Sequence, residues 1–65
     1  MENEWVSIFI TSDQFYAELA KGLLEENNIE AVVVNKQDSF YHFGEIELYV
    51  KRDNIVKAKF LLKEL

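Results

Sequence analysis

Apolar and polar residues alternate along three stretches of the chain, which we predict to be strands. The clearest stretch is residues 45–50, where every second side chain is aliphatic, so one face of this strand meets a core. Residues 5–11 are mostly β-branched or aromatic, which favours a strand. Residues 29–35 are apolar on both faces over their middle, as in a strand that is covered on both sides.

The two-residue period of a strand assigns each side chain to one of two faces, one toward the helices and one open. The residues predicted for the helix side are Val6, Ile8, Ile10, Ile46, Leu48 and Val50. Those predicted for the open side are Trp5, Ser7, Phe9, Thr11, Glu45, Glu47 and Tyr49. The open side therefore mixes large aromatic rings with charged groups.

Apolar residues at three- and four-residue spacings predict two helices, one after strand one and one after strand three. Ser12 or Asp13 is suited to cap the start of the first helix, which we expect to run to about residue 27. Asp53 or Asn54 is suited to cap the second. The helical residues predicted to face the sheet are Tyr16, Leu19, Ala20, Leu23, Leu24, Ile55, Ala58, Leu61, Leu62 and Leu65.

Two further expectations concern the end and the outside of these helices. Asn28 tolerates the left-handed backbone conformation that often ends a helix, so we expect the first helix to stop there. Val56 and Phe60 lie one turn apart and away from the apolar stripe of the second helix. We expect these two side chains to form an exposed apolar spot.

The order strand, helix, strand, strand, helix predicts one arrangement of the sheet. A strand-helix-strand unit has a right-handed crossover between parallel strands, and the hairpin between strands two and three makes those two antiparallel. Placing strand three between strands one and two satisfies both conditions. The predicted class is therefore α+β, a ferredoxin-like fold without its last strand, with sheet order 1-3-2 and both helices on one face. We expect residues 1–65 to form a single domain.

Composition excludes several classes of function. The chain has 65 residues, no cysteine and one histidine, so it offers no disulfide framework, no thiol nucleophile and no common zinc site. Its net charge of −5 opposes binding to the phosphate backbone of nucleic acids. No apolar run approaches the ~20 residues of a membrane span, and the acidic N-terminus is unlike a signal peptide. We therefore expect a cytoplasmic protein that binds neither nucleic acid nor membrane.

Few residues suggest chemistry. Glu45 and Glu47 lie about 6–7 Å apart on one face of strand three, which suits a divalent cation with Asp38 as a third ligand, although solvated carboxylates are the commoner case. His42, with Asp38 and Tyr41 nearby in sequence, has the composition of a proton-transfer group. No recognisable motif places a serine or cysteine nucleophile beside it. We therefore expect a protein that is not an enzyme and uses no metal or cofactor.

Several short motifs resemble a family of small bacterial domains. These motifs are Thr11-Ser12-Asp13, Ala17-Glu18, Leu23-Leu24, Asn28-Ile29-Glu30-Ala31-Val32-Val33-Val34-Asn35, Gly44-Glu45-Ile46-Glu47-Leu48-Tyr49-Val50 and Ala58. The family is named for a signal-transducing role and is similar in fold to the nitrogen-regulatory PII proteins. The resemblance implies a ferredoxin-like fold and a regulatory or ligand-sensing role. Residues 36–43 form a much shorter loop than the effector loop of PII proteins, so no binding residue is carried over.

Two functions fit these observations. The first is a regulatory interaction module that binds a protein partner through the open side of the sheet and the edge of strand one. The alternative is a small-molecule or metal sensor with its site near the loop that runs from Lys36 to Phe43. The large apolar side chains of the open side favour an interface, so we expect a homodimer, unless that loop covers the face in a monomer. The predicted interface residues are Trp5, Phe9, Tyr41, Phe43 and Tyr49, with Val32 and Val34 beside them.

Overall fold

Three strands and two helices follow one another in the order that the sequence predicts. The structure is a computed structural model that describes residues 4–37 and 45–65. Its elements are β1 (Trp5–Thr11), α1 (Gln14–Glu26), β2 (Ala31–Asn35), β3 (Ile46–Lys51), a short 3-10 helix (Arg52–Asn54) and α2 (Ile55–Leu62). The predicted β-α-β-β-α order is confirmed.

β3 is the central strand of the sheet. The strand order is β1-β3-β2, and β3 runs antiparallel to both neighbours. Its alternate side chains Ile46, Leu48 and Val50 are fully buried. Leu48 and Val50 share one core cluster with Ala20, Leu24, Ile29, Ala31 and Ala58. Because this cluster joins both helices to the sheet, α1 and α2 cover the same face, and the predicted α+β arrangement with order 1-3-2 is confirmed.

Local signals in the sequence set both ends of α1. The side chain of Asp13 accepts a hydrogen bond of 2.9 Å from the backbone N–H of Phe15, which caps the start of the helix. At the other end Asn28 has a φ of 63°, and the N–H of Ile29 donates to the carbonyl of Leu24 at 2.9 Å. This is the left-handed helix ending that the asparagine predicts. The chain is thereby directed into β2.

α1 contacts the sheet through a more compact face than the sequence indicates. Its buried residues are Ala17, Ala20 and Leu24. These three residues lie on one side of the helix, whereas Leu19 lies about 100° around the helix axis from Ala20. Leu19, which we predicted in the core, lies beyond this contact and is 47% exposed. Its predicted burial is therefore wrong.

α2 begins without a side-chain cap. It follows directly on the 3-10 helix, and neither Asp53 nor Asn54 supplies the predicted side-chain capping hydrogen bond. Val56 is 83% exposed and Phe60 is 68% exposed, which confirms that both point away from the sheet. Leu65 lies beyond the end of the helix and is 39% exposed, so its predicted place in the buried stripe is wrong.

Phe60→Ser should leave the free energy of unfolding nearly unchanged, within about 0.5 kcal/mol, because a side chain that is mostly in water loses little burial. Urea unfolding followed by the fluorescence of the single tryptophan measures this. Leu24→Ser, at a fully buried position of α1, is the matched control and should be strongly destabilised. A loss above about 2 kcal/mol for Phe60→Ser would show that the outer side of α2 is buried in the native protein.

A β-bulge interrupts β1 at Ile8. Ser7 pairs with Tyr49, but Phe9, two residues later, pairs with the adjacent residue Leu48. β1 therefore contains one residue more than the stretch of β3 that it faces. Because side chains alternate along a strand, an extra residue reverses the facing of every side chain that follows it.

The bulge moves Phe9 to the helix side of the sheet. Its ring stacks on Tyr16 of α1, with ring centroids 5.4 Å apart, and both Ile8 and Phe9 pack against the core. Ile10, which we predicted in the core, lies on the open side and is 55% exposed. The predicted sides of Phe9, Ile10 and Thr11 are wrong, because strict alternation over residues 5–11 does not allow for an inserted residue.

Candidate functional site

The candidate site is the side of the sheet opposite the two described helices, which we call the open face. Strand register assigns to it Trp5, Ser7 and Ile10 of β1, Val32 and Val34 of β2, Glu47, Tyr49 and Lys51 of β3, and the flanking residues Glu30 and Lys36. Apolar side chains from the two outer strands thus lie on either side of a polar group on the central strand.

Glu47 is the centre of a polar cluster on the open face. Lys36 Nζ lies 2.9 Å from Glu47 Oε2, and the Tyr49 hydroxyl donates a hydrogen bond of 2.8 Å to Oε1, so each carboxylate oxygen has its own donor. Only 15% of the Glu47 side chain is exposed, against 53% for Lys36. The interpretation of Glu47 as a solvated carboxylate is therefore wrong, because its neighbours on the same face remove it from most of the water.

Ser7 adds a third polar group beside Glu47. It pairs with Tyr49 across the sheet, and its hydroxyl favours the charged form of Glu47, which lowers the pKa of that carboxyl. The Ser7 oxygen is buried but forms no hydrogen bond of normal geometry within the described structure. A buried polar group without a partner costs about 1–3 kcal/mol. Within the described structure the Ser7 hydroxyl therefore interacts with Glu47 only weakly.

The cluster shifts the pKa of each of its ionisable members. The hydrogen bond from Lys36, followed by the hydroxyls of Tyr49 and Ser7, lowers the pKa of Glu47. The hydrogen bond to Glu47 raises the pKa of Lys36. The same carboxylate, together with burial, raises the pKa of Tyr49. At neutral pH these directions keep the carboxylate and the ammonium charged and the phenol protonated, which is the state in which both contacts form.

Glu47→Gln should lower stability at neutral pH and remove part of the acid sensitivity of the fold. A carboxyl whose pKa is lowered on folding stabilises the folded protein above its unfolded pKa of about 4.3, and this contribution disappears as pH falls through the folded pKa. Urea midpoints of the parent and of Glu47→Gln should therefore differ at neutral pH, and the difference should shrink progressively as pH falls below about 4.3.

Glu45→Gln is the control for this experiment, since Glu45 is an exposed carboxylate on the same strand end. At neutral pH it should unfold at nearly the same urea concentration as the parent, because an exposed side chain contributes little to stability. A difference between parent and Glu47→Gln that persists unchanged into acid would mean that the ionised carboxylate is not the stabilising group.

A second group lies at the other end of the open face. Lys51 Nζ is 5.7 Å from the centroid of the Trp5 ring, within the range of a cation–π contact. The same ammonium lies 3.5 Å from Glu30 Oε1. Both members of this ion pair are well exposed, so the pair adds little to stability. Its effect is to hold a cation over the half-buried indole ring.

A shallow cleft lies beside this end of the sheet. It has a volume of about 270 Å³ and is lined by Glu4, Lys51, Arg52 and Asp53. Two of its lining residues are joined by a backbone hydrogen bond of 2.6 Å, which the N–H of Arg52 donates to the carbonyl of Glu4. The lining residues carry both signs of charge and none is a nucleophile or a histidine. The cleft is a weaker candidate site than the open face, because none of its lining residues offers a large apolar side chain for a partner to bury.

The predicted interface residues are divided between three places. Trp5 and Tyr49 lie on the open face, as expected. Phe9 lies under α1 instead, because of the bulge. Tyr41 and Phe43 fall outside the described residues. The open face of the described structure is therefore smaller in aromatic area than we predicted, and richer in charged side chains.

The residues considered for metal binding and proton transfer are only partly described. Asp38 and His42 lie outside the described residues. Within residues 4–37 and 45–65, no three or more His, Cys, Asp or Glu side chains are grouped so as to hold a metal ion. Glu47 binds Lys36 instead.

Four residues of the open face were not placed there from the sequence, namely Ile10, Glu30, Lys36 and Lys51. The N–H of Lys36 donates to the carbonyl of Glu45 at 2.9 Å, so the pairing of β2 with β3 continues past its last assigned residue. The even spacing of Lys36 from Val32 and Val34 is the signal that predicts its side. Ile10 reaches this face only through the bulge, and no alternation in the sequence indicates it.

Taken together, the fold and the open face define a class, the small α+β domains that carry their helices on one side of the sheet and a mixed polar and apolar surface on the other. The family model described as "Putative prokaryotic signal transducing protein" matches residues 5–65. The chain belongs to this family, which confirms the resemblance of its sequence motifs. Comparisons with curated proteins and with solved structures gave no match. Neither of the helices in the described part of the chain is long and apolar enough to cross a membrane.

Proposed function

We propose that this protein is a cytoplasmic regulatory interaction module without enzymatic activity, which binds a protein partner on its open face. Membership of a signal-transducing family supports a role in regulation. The observation that carries the proposal is the low exposure of the Glu47 carboxylate, which Lys36 and Tyr49 hold between the apolar side chains of the two outer strands.

The chemistry of the open face resembles the core of a protein interface. Trp and Tyr are enriched in such interfaces, and both are present here as Trp5 and Tyr49. Ile10, Val32 and Val34 add aliphatic contact area on the outer strands. A partly desolvated charge pair within apolar surroundings selects among partners, because a mismatched group opposite it loses hydrogen bonds.

The edge of β1 is a less suitable docking site than the sequence indicates. An added strand needs a regular row of free N–H and C=O groups. The bulge at Ile8 breaks this row in the middle of β1. Bulges of this kind protect sheet edges against pairing with other chains. The proposal therefore rests on the open face.

The test compares two aspartate substitutions at exposed aliphatic residues on opposite sides of the molecule. Ile10→Asp places a charge on the open face, and Val56→Asp places the same charge on the outer side of α2. A partner captured from the source cells and then purified should bind the parent and Val56→Asp with equal affinity in calorimetry, and Ile10→Asp at least about tenfold more weakly.

The converse pattern, in which Val56→Asp weakens binding and Ile10→Asp does not, would assign the partner to the helix side. The sensor alternative has its own outcome. A metabolite or a divalent cation that raises the melting temperature, in the absence of any protein that binds the open face, would favour a ligand site near the loop of residues 36–43.

A further inference from the structure

β2 is a regular edge strand, in contrast to the bulged β1. The strand order places β2 at one border of the sheet, and its five residues Ala31–Asn35 pair with β3 without interruption. The strand contains neither proline nor a charged side chain. No other strand of the described structure pairs with its outer side. Regular, uncharged edges of this kind accept a further strand.

The pattern of hydrogen bonds identifies the backbone groups that are available on this edge. The N–H of Lys36 donates to Glu45, so the even-numbered residues of β2 direct their backbone groups toward β3. The odd-numbered residues Ala31, Val33 and Asn35 therefore direct theirs outward. Asn35 is exposed and Val33 is half-buried, whereas Ala31 is only 6% exposed. Within the described structure these outward N–H and C=O groups have no backbone partner.

We propose that a second copy of this chain pairs with β2, antiparallel, about a two-fold axis at Val33, and so forms a continuous sheet of six strands. In this register Val33 faces the partner subunit's Val33, and Ala31 faces the partner subunit's Asn35. These are the residues with outward backbone groups, so the register forms about two backbone hydrogen bonds at the Val33 pair and about four at the Ala31 and Asn35 pairs. The latter four require that the partner strand displace whatever covers Ala31, which is 6% exposed. Val32 then faces the partner subunit's Val34, which adds an apolar cross-strand pair on the open face.

The charges at the two ends of β2 select this register. Glu30 precedes the strand and Lys36 follows it, and both lie on the open face through their contacts with Lys51 and Glu47. The two-fold axis at Val33 places Glu30 opposite the partner subunit's Lys36, and Lys36 opposite the partner subunit's Glu30. Opposite charges in facing positions are stabilising. A parallel pairing would instead place Glu30 beside the partner subunit's Glu30 and Lys36 beside the partner subunit's Lys36. An antiparallel pairing shifted by two residues would move each Glu30 away from the partner subunit's Lys36.

The dimer is independent of what the open face binds. It uses backbone groups at the edge of the sheet, and it joins the two open faces into one surface of alternating charge. It also supplies burial to a chain of only 65 residues, for which burial by a single core is small. If no protein partner binds the open face, the β2 dimer can still form. If the dimer does not form, a protein partner can still bind the open face.

Proline substitutions at the two edges of the sheet provide the first test. Val33→Pro removes an outward N–H from β2 without removing a hydrogen bond to β3, and proline is tolerated at such edge positions. Ile10→Pro likewise removes an outward N–H from β1 without removing a hydrogen bond to β3. Ile10 faces Glu47, and the backbone groups of Glu47 point toward β2, so those of Ile10 point away from β3. In sedimentation experiments over a range of concentrations, the parent and Ile10→Pro should form dimers, and Val33→Pro should remain a monomer. Circular dichroism verifies that each variant is folded.

Charge reversal tests the register. Glu30→Lys and Lys36→Glu should each weaken the dimer roughly tenfold, because both facing pairs become repulsive. An equal mixture of the two variants should recover dimers of near-parental affinity, since each Lys then faces a Glu. The proposal would be overturned if the parent is monomeric at all concentrations. It would also be overturned if Ile10→Pro loses the dimer while Val33→Pro keeps it, or if the mixture dimerises no more tightly than either charge variant alone. The mixture remains decisive even if Val33→Pro does not fold.

Discussion

Leu48→Ala should lower the free energy of unfolding by roughly 2–5 kcal/mol, the largest effect that we expect from one substitution in this chain. Leu48 is fully buried at the middle of the central strand. It pairs with Phe9 on β1 and with Val33 on β2, and it shares the core cluster with residues of both helices. Removing its side chain leaves a cavity that all these elements border. A loss of this size is comparable with the whole stability of a small domain.

Urea unfolding at neutral pH measures the effect, with Val56→Ala as the control. Val56 is also aliphatic but is 83% exposed, so its truncation should change the midpoint very little. If Leu48→Ala unfolds at the same urea concentration as the parent, then β3 is not the strand around which the core is built.

Phe9→Ala should cost about 2–3 kcal/mol, whereas Ile10→Ala should change stability by less than about 1 kcal/mol. The bulge places Phe9 against the core, where its ring also stacks on Tyr16. Ile10 faces away from the helices and is 55% exposed. Strict alternation from Val6 predicts the opposite ranking, so the two variants discriminate between a regular and a bulged β1.

The experiment requires only the two urea midpoints, because the substitutions are neighbours on one strand and both end in alanine. Equal costs would place both side chains at the border of the core. A larger cost for Ile10→Ala would restore the regular strand and with it the original assignment of Phe9 to the open face.

Elements whose determinants are local were predictable from the sequence. The cap at Asp13 and the left-handed Asn28 each depend on one side chain and its nearest backbone, so the ends of α1 follow directly from residue identity. The regular alternation of β3 identifies its buried face without knowledge of its neighbours. The sheet order followed from the handedness of the crossover and from the hairpin.

Features that depend on packing between elements were not predictable in this way. Ile8, Phe9 and Ile10 are all apolar, so the sequence of β1 is compatible with either phase of alternation, and only its register with β3 decides. Leu19 is excluded from the core because α1 faces the sheet with the side that carries Ala17, Ala20 and Leu24, and the apolar spacing along α1 does not indicate that rotation. Two long side chains on adjacent strands form the Glu47 and Lys36 ion pair, and neither strand alone indicates that contact.

The bulge at Ile8 also has a consequence for the way relatives of this chain should be aligned. Trp5 and Ile10 point to the same face although an odd number of positions separates them. A homologue with one residue fewer in this strand would keep both side chains on that face with an ordinary two-residue period. An alignment without a gap would pair surface residues of one protein with core residues of the other along half of the strand. A relative with an insertion or deletion within β1 can therefore keep the same residues on the open face. A comparison of residues at equal positions, made without a gap, would wrongly indicate that this face differs.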